Sequence, residues 1–154
     1  NAYGQPGNNT QQNSSTPVSA SVSNPIWLGA GYYHTCAASQ GGAASCWGYN
    51  VYGQIGDNTT TNRAVPTAVS NISTATRIES GLYHTCALLG NNTVNCWGYN
   101  AYGQLGNNTT TNSSIPVVAS GLTTGSDITS GIGYTSCSTL SNGGAMCWGY
   151  NTYG

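Results

Sequence analysis

Six cysteines are the residues of this chain best placed to do chemistry, and their spacing is regular: Cys36/Cys46, Cys86/Cys96 and Cys137/Cys147 are each ten positions apart. Each pair straddles a turn-forming centre, Gly41, Asn91 or Asn142. In the middle copy His84-Thr85-Cys86-Ala87-Leu88 and Thr93-Val94-Asn95-Cys96-Trp97 flank Gly90-Asn91-Asn92, a pattern that reads as a β-hairpin with an odd-length loop. A loop centred on Asn91 sets residues equidistant from it opposite one another, and Cys86 and Cys96 are both five positions away. Directly opposed residues at a non-hydrogen-bonded pair have Cα atoms ~4.5 Å apart, within reach of a disulfide. The spacing therefore predicts three cross-strand disulfides, each closing a loop of about eleven residues and worth up to ~3 kcal/mol. Reduced, buried thiols are the alternative for an intracellular chain, and metal ligation would want Cys-Xaa-Xaa-Cys spacing, which is absent. Disulfides imply an oxidising compartment, extracellular or at the cell surface.

The other reactive residues are few. His34 and His84 each precede a cysteine by two positions, on the same strand face, and the third copy has no histidine there. No acid or second ligand recurs near them, so neither a metal site nor a general base is expected. The carboxylates Asp57, Glu79 and Asp127 fall in separate parts of the chain and form no acid/base pair in sequence. Serine occurs in no Gly-Xaa-Ser-Xaa-Gly motif, and without lysine no phosphate-binding Gly-Lys-Ser/Thr loop exists. No enzyme activity and no cofactor are expected. Tyr33, Tyr52, Tyr83 and Tyr102 recur in register and read either as a stacking surface for sugars or bases or as packing between repeats. Trp47, Trp97 and Trp148 mark the same place in each copy and read as packing between repeats.

Those residues are carried by a repeat. A block ending Cys-Trp-Gly-Tyr-Asn and opening into Xaa-Tyr-Gly-Gln-Xaa-Gly recurs, with units beginning at Asn1, Asn50 and Asn100 and a fourth opening at Asn151. The spacings of 49, 50 and 51 residues divide the chain into units 1–49, 50–99 and 100–150, with 151–154 repeating the start of the motif. Both ends of the sequence thus fall inside the motif, as expected of a segment of a longer or polymeric array. Only Arg63, Arg77, Asp57, Glu79 and Asp127 are charged, against ~25% in an average soluble domain. A net charge of −1 supplies little self-repulsion and favours association, and two arginines make nucleic acid a poor partner. No apolar run approaches the ~18 residues of a membrane span. Asn-Xaa-Ser/Thr sequons at Asn8, Asn13, Asn58, Asn71, Asn91, Asn107, Asn108 and Asn112 are candidate glycosylation sites, and in so Asn- and Thr-rich a chain only some are expected to be occupied.

Each hairpin is preceded by a strand such as Ala75–Glu79, and a short Pro-led strand, Pro66–Ser70 in the middle copy, follows each turn. No stretch carries a helical period, and the fold class is all-β. Alternation sends Cys86, Leu88, Val94 and Cys96 to one face and Ala87, Leu89 and Trp97 to the other. A small sheet apolar on both faces must be sandwiched between neighbours, as in propeller blades and stacked repeats.

The string Gly-Leu-Tyr-His-Thr-Cys-Ala-Leu (81–88), followed by Val94-Asn95-Cys96-Trp97-Gly98-Tyr99-Asn100 and Tyr102-Gly103-Gln104-Leu105-Gly106, resembles the regulator-of-chromosome-condensation (RCC1-like) repeat, across all three units. The chain looks like a secreted, prokaryotic-type variant with one cysteine pair per repeat. The resemblance implies β-propeller blades of about fifty residues, each a four-stranded antiparallel sheet, forming part of a larger propeller or an open stacked array. The family includes a nuclear exchange factor for a small GTPase and a secreted bacterial inhibitor of β-lactamases, and the cysteines and scarce charge fit the secreted kind. Two departures stand out: Pro6 occupies the place of Ile55 and Leu105, and the third unit inserts a residue in Gly131–Cys137.

Two functions follow. The first is a non-enzymatic extracellular structural protein that polymerises head to tail into a filament, tube or sheath, its partner being itself, with residues 151–154 completing a joint with the next copy's Asn1 onward. The second is a secreted or cell-surface propeller that binds a partner protein or glycan. The near-identity of Gly56–Asn62 and Gly106–Asn112 favours the first, because a binding interface rarely repeats.

Overall fold

Each cysteine hairpin forms with the register that its loop centre dictates. In the middle copy His84 pairs with Gly98, Thr85 with Trp97, Cys86 with Cys96 and Leu88 with Val94. The same register holds around Gly41 and Asn142. Opposed cysteines have Cα atoms 4.1, 4.1 and 4.0 Å apart, and all three disulfides are formed. Asn92 and Gly42 turn two of these hairpins with left-handed φ of 65° and 82°, a region open to asparagine and glycine.

The computed structural model describes residues 1–131 and 133–153. The inserted segment's Ile132 and Gly154, last residue of the repeated stub, lie outside the described residues. Eleven strands are present among the described residues: β1 Pro25–Ala30, β2 His34–Ser39, β3 Ala44–Gly48, β4 Arg63–Ala68, β5 Ala75–Ser80, β6 His84–Leu89, β7 Val94–Gly98, β8 Ser113–Val118, β9 Gly125–Ser130, β10 Thr135–Leu140 and β11 Ala145–Gly149. They make antiparallel sheets ordered β1-β2-β3-β4, β5-β6-β7-β8 and β9-β10-β11, so two blades have four strands and the third has three. The sheets are out of phase with the Asn-to-Asn period, because β4 lies after Asn50 yet closes the first sheet, and β8 lies after Asn100 yet closes the second. The Pro-led strand begins earlier than its proline suggests: β4 runs Arg63–Ala68 rather than Pro66–Ser70. Pro66 is tolerated there because β4 is an edge strand whose outer side needs no N–H donor. No helix of the described residues is long and apolar enough to cross a membrane.

The core lies in the seams between blades. Cys36, Ala38, Ala44 and Cys46 of the first sheet meet Ile78, Ala87 and Trp97 of the second. Cys86, Leu88, Val94 and Cys96 on the other face of the second sheet meet Ile128 and Trp148 of the third. Both faces divide as strand alternation requires. Burying side chains such as Ile78 and Trp97 stabilises a seam by ~1.5–3 kcal/mol each. The inner strands β1, β5 and β9 converge. Gly29 permits this approach, since a Cβ there would lie 2.5 Å from the Ile78 carbonyl oxygen.

Candidate functional site

One backbone carbonyl organises each seam. The Gln54 carbonyl, in the β3–β4 loop of the first blade, accepts the Trp97 indole N–H at 2.9 Å and the Thr85 hydroxyl at 2.8 Å in the second. Gln104 does the same for Trp148 and Ser136 at 2.9 and 3.0 Å, and Gln5 for Trp47 and Thr35 at 2.7 and 3.0 Å. Thr85 and Ser136 also meet the histidines: His34 Nε2 lies 2.8 Å from Thr85 Oγ1 and His84 Nε2 2.9 Å from Ser136 Oγ. Because each hydroxyl spends its proton on a glutamine carbonyl, the histidine must donate Nε2–H, and both rings are held as neutral tautomers. Burial pushes His34 down to about 3, helped by the nearby His84, and pushes His84 down to about 4. The histidines are seam donors, and Thr135 takes their place in the third blade. The glutamine carbonyls carry no side-chain signature; the only trace of their role is the recurrence of Gln beside the glycine that packs on the indole. A Cβ on Gly56 would lie 2.6 Å from Trp97 Nε1.

The asparagines that open the second and third units are buried turn centres. Asn50 Oδ1 accepts the Ile55 N–H, while Nδ2 donates to the Thr59 and Thr61 carbonyls; Asn100 repeats this with Leu105, Thr109 and Thr111. Asp57 closes the first of these loops through Arg63. Although burial opposes it, hydrogen bonds from Thr59 and Arg63 hold the Asp57 carboxyl below its usual range. Of the sequon asparagines, Asn58, Asn71 and Asn108 sit at exposed corners with φ of 62°, 58° and 61°. Asn8, Asn91 and Asn107 accept the hydroxyl of their own sequon threonine, and Asn13 and Asn112 accept from the Asn1 amine and the Asn100 N–H.

Carboxylates separated in sequence are brought together by the inner strands. Arg77 bonds Asp127 at 3.2 Å and lies 4.2 Å over the Trp27 ring, whose indole N–H donates to Glu79 at 2.9 Å. Burial raises the Glu79 carboxyl, the Trp27 bond offsets this in part, and Asp127 raises it further. With Arg77 lodged beside them, the pair has the character of a structural ion cluster across three blades. Among the described residues no three histidines, cysteines or acids converge as metal ligands.

The tyrosines form a continuous rim. Each blade contributes a triplet from the preceding loop, the β-turn and the strand end: Tyr3, Tyr33 and Tyr49; Tyr52, Tyr83 and Tyr99; Tyr102, Tyr134 and Tyr150. Neighbouring triplets touch, with Tyr33 and Tyr83 stacked at 5.3 Å and Tyr99 and Tyr134 tilted at 5.6 Å. Burial and the hydroxyl of Tyr33 push Tyr83 up to about 12, and burial also raises Tyr49, Tyr99 and Tyr134. Ring faces are largely spent on one another, while Tyr32, Tyr102 and Tyr150 remain exposed.

The model of the regulator of chromosome condensation (RCC1) repeat matches residues 42–88 and 91–137, and a second model of the same repeat matches 28–54 and 75–104. Among solved structures, human WBSCR16 superposes with a TM-score of 0.75 at 20% identity, covering 90% of this chain and 38% of that one. Prp20p from Saccharomyces cerevisiae, studied for its binding to Gsp1p and histones, superposes with a TM-score of 0.72 at 16% identity, covering 84% and 34%. The complex of Kap60 with yeast RCC1 (Prp20) gives 0.70 at 17% identity, covering 84% and 33%. The chain thus spans about a third of the length of these structures, and at such identities the likeness is one of fold.

Proposed function

The chain belongs to the regulator of chromosome condensation (RCC1) repeat family, and from that premise we propose that it is a non-enzymatic extracellular structural protein whose blades assemble head to tail into a filament, tube or sheath. One observation carries this reading: the two end faces of the three-blade stack are the two halves of the seam used twice inside it. Leu28 on the first blade is 58% exposed, whereas its counterparts Ile78 and Ile128 are 0% and 6% exposed against a preceding blade. On the third blade Ala145 and Cys147 are exposed, whereas Ala44, Cys46, Val94 and Cys96 are buried against a following blade. A heterologous contact of this kind adds one chain to the next, into a ring where the rotation closes and into an open filament where it does not. The disulfides support an oxidising, extracellular setting. Glycans on exposed sequons would keep so weakly charged a surface soluble, and an unchanged mass of native material after enzymatic deglycosylation would remove that part.

The test is electron microscopy and light scattering of the unreduced chain, beside Leu28→Asp. Wild type is expected to form regular polymers, and the variant to remain a folded monomer of unchanged melting temperature. Wild-type monomers at near-physiological salt would overturn the reading. They would leave the second one, a binding module, which the exposed Tyr32, Tyr102 and Tyr150 along the aromatic rim support.

A further inference from the structure

We infer that the tyrosine rim is a site of oxidative cross-linking, at which Tyr33 and Tyr83 of neighbouring blades are joined through their rings as dityrosine by hydrogen peroxide and a haem peroxidase. The product is a covalent tie across a seam. It lies within one chain and requires no polymer.

The commoner routes to such a tie are closed. Each disulfide bridges a hairpin within one blade, and among the described residues no cysteine is left free. The chain has eleven tyrosines and no lysine, so cross-links made from amines are closed to it. Apolar packing and hydrogen bonds join the first blade to the second.

Tyr33 and Tyr83 occupy the same place in successive copies, one residue before β2 and β6. The Tyr49 N–H donates to the Tyr33 carbonyl and the Tyr99 N–H to the Tyr83 carbonyl, each at 2.9 Å, which pins both turns to the ends of β3 and β7. The two rings meet across the seam within 7° of parallel, with centroids 5.3 Å apart. Direct face-to-face contact would bring the centroids to ~3.5–4.0 Å, so the stack is offset and lays the edge of one ring beside the other. Both rings are half-buried, and Tyr49 packs on each of them at 5.7 and 5.9 Å. Held in contact in this way, a radical on one ring meets its partner before it meets another chain.

An oxidant reaches the pair through Tyr32. That ring is 59% exposed and lies 4.5 Å from Tyr33, to which it passes a radical by exchange of an electron and a proton. Trp47 and Trp97 are sealed at 2% and 0% exposure, and Arg77 covers the Trp27 ring. The coupling itself is balanced. Each phenol gives up one electron and its hydroxyl proton. The unpaired spin of a phenoxyl radical lies on its oxygen and on the ring carbons next to the one that bears it, and one such carbon of Tyr33 bonds to one of Tyr83. Each bonded carbon then passes its hydrogen, as a proton, to the oxygen of its own ring, restoring both aromatic rings and both hydroxyls. In sum two hydrogens leave the pair, and one hydrogen peroxide takes them up to become two waters.

The two arginines make the test direct. Trypsin, cutting after Arg63 and Arg77, leaves Tyr33 in fragment 1–63 and Tyr83 in fragment 78–154. The unreduced chain is treated with hydrogen peroxide and a haem peroxidase and then reduced. The single-chain species is isolated under denaturing conditions, digested and mapped by tandem mass spectrometry. The two fragments are expected to be joined between Tyr33 and Tyr83 with the loss of two hydrogens. Tyr33→Phe and Tyr83→Phe, which keep the rings and whose folding is checked by thermal melting, should each lose most of that product, whereas Tyr102→Phe should leave it unchanged. Joined fragments in equal yield from Tyr33→Phe, or coupling confined to exposed tyrosines of different chains, would overturn the inference. Native material is expected to release dityrosine on acid hydrolysis without any added oxidant, and its absence there would overturn the modification even where the pair couples in vitro.

Discussion

His34 and His84 donate across the seams between blades through Nε2–H, and burial holds both rings neutral. Their folded-state values of about 3 and about 4 lie below the ordinary value of 6.5, so the unfolded chain takes up the protons first. The stability they contribute is therefore complete above pH ~6.5 and is lost as pH falls from there toward ~4, at roughly 1.4 kcal/mol per pH unit for each ring. The carboxylates do not mask the effect, because Asp57 is lowered and Glu79 is raised, and the two act in opposite directions. Melting temperature should accordingly drop steeply between about pH 6.5 and 4. His84→Gln should start from a lower melting temperature and show a shallower slope. A flat wild-type profile over this range would mean that the folded chain accommodates the charged rings.

At the scale of the strand and hairpin, what could be read in advance was whatever depends on neighbours close in sequence. The ten-residue cysteine spacing fixes a register, and register fixes faces, so the disulfides and the two-sided burial of β6 and β7 were legible. The role of the histidines and the joining of Glu79 to Asp127 through Arg77 were not, because each depends on how one blade is rotated against the next; of the tyrosine rim, packing by Tyr33, Tyr52, Tyr83 and Tyr102 was legible as one of two readings, and its continuity through Tyr3, Tyr49, Tyr99, Tyr134 and Tyr150 was not. The main-chain carbonyls of Gln5, Gln54 and Gln104 leave no side-chain signal at all. The hairpins also differ in access. Cys36, Cys46, Cys86 and Cys96 are buried at 0–1% exposure, whereas Cys147 is exposed on the open third blade. Limited reduction of the monomeric Leu28→Asp chain should therefore open Cys137–Cys147 first, as differential alkylation would show. Equal labelling of all three pairs would contradict the buried seams.

The whole molecule is held by apolar seams and neutral hydrogen bonds, with only two ion pairs among the described residues, Arg63–Asp57 and Arg77–Asp127. Screening has little to act on when the net charge is −1. Between about 50 and 500 mM sodium chloride the melting temperature should move by no more than ~2 °C, since of the two pairs only Arg77–Asp127, worth ~1 kcal/mol, has both partners open to screening. A steep dependence, read by scanning calorimetry, would place electrostatics in the seams after all. The placement of the disulfides has a mechanical consequence. Each one bridges an eleven-residue hairpin within a repeat of 49 to 51 residues. A repeat pulled open from its two ends can thus release only the contour outside the bridge, about 14 nm instead of about 17 nm at ~3.5 Å per residue. Extension would proceed in near-equal steps, and a reductant would lengthen each of them.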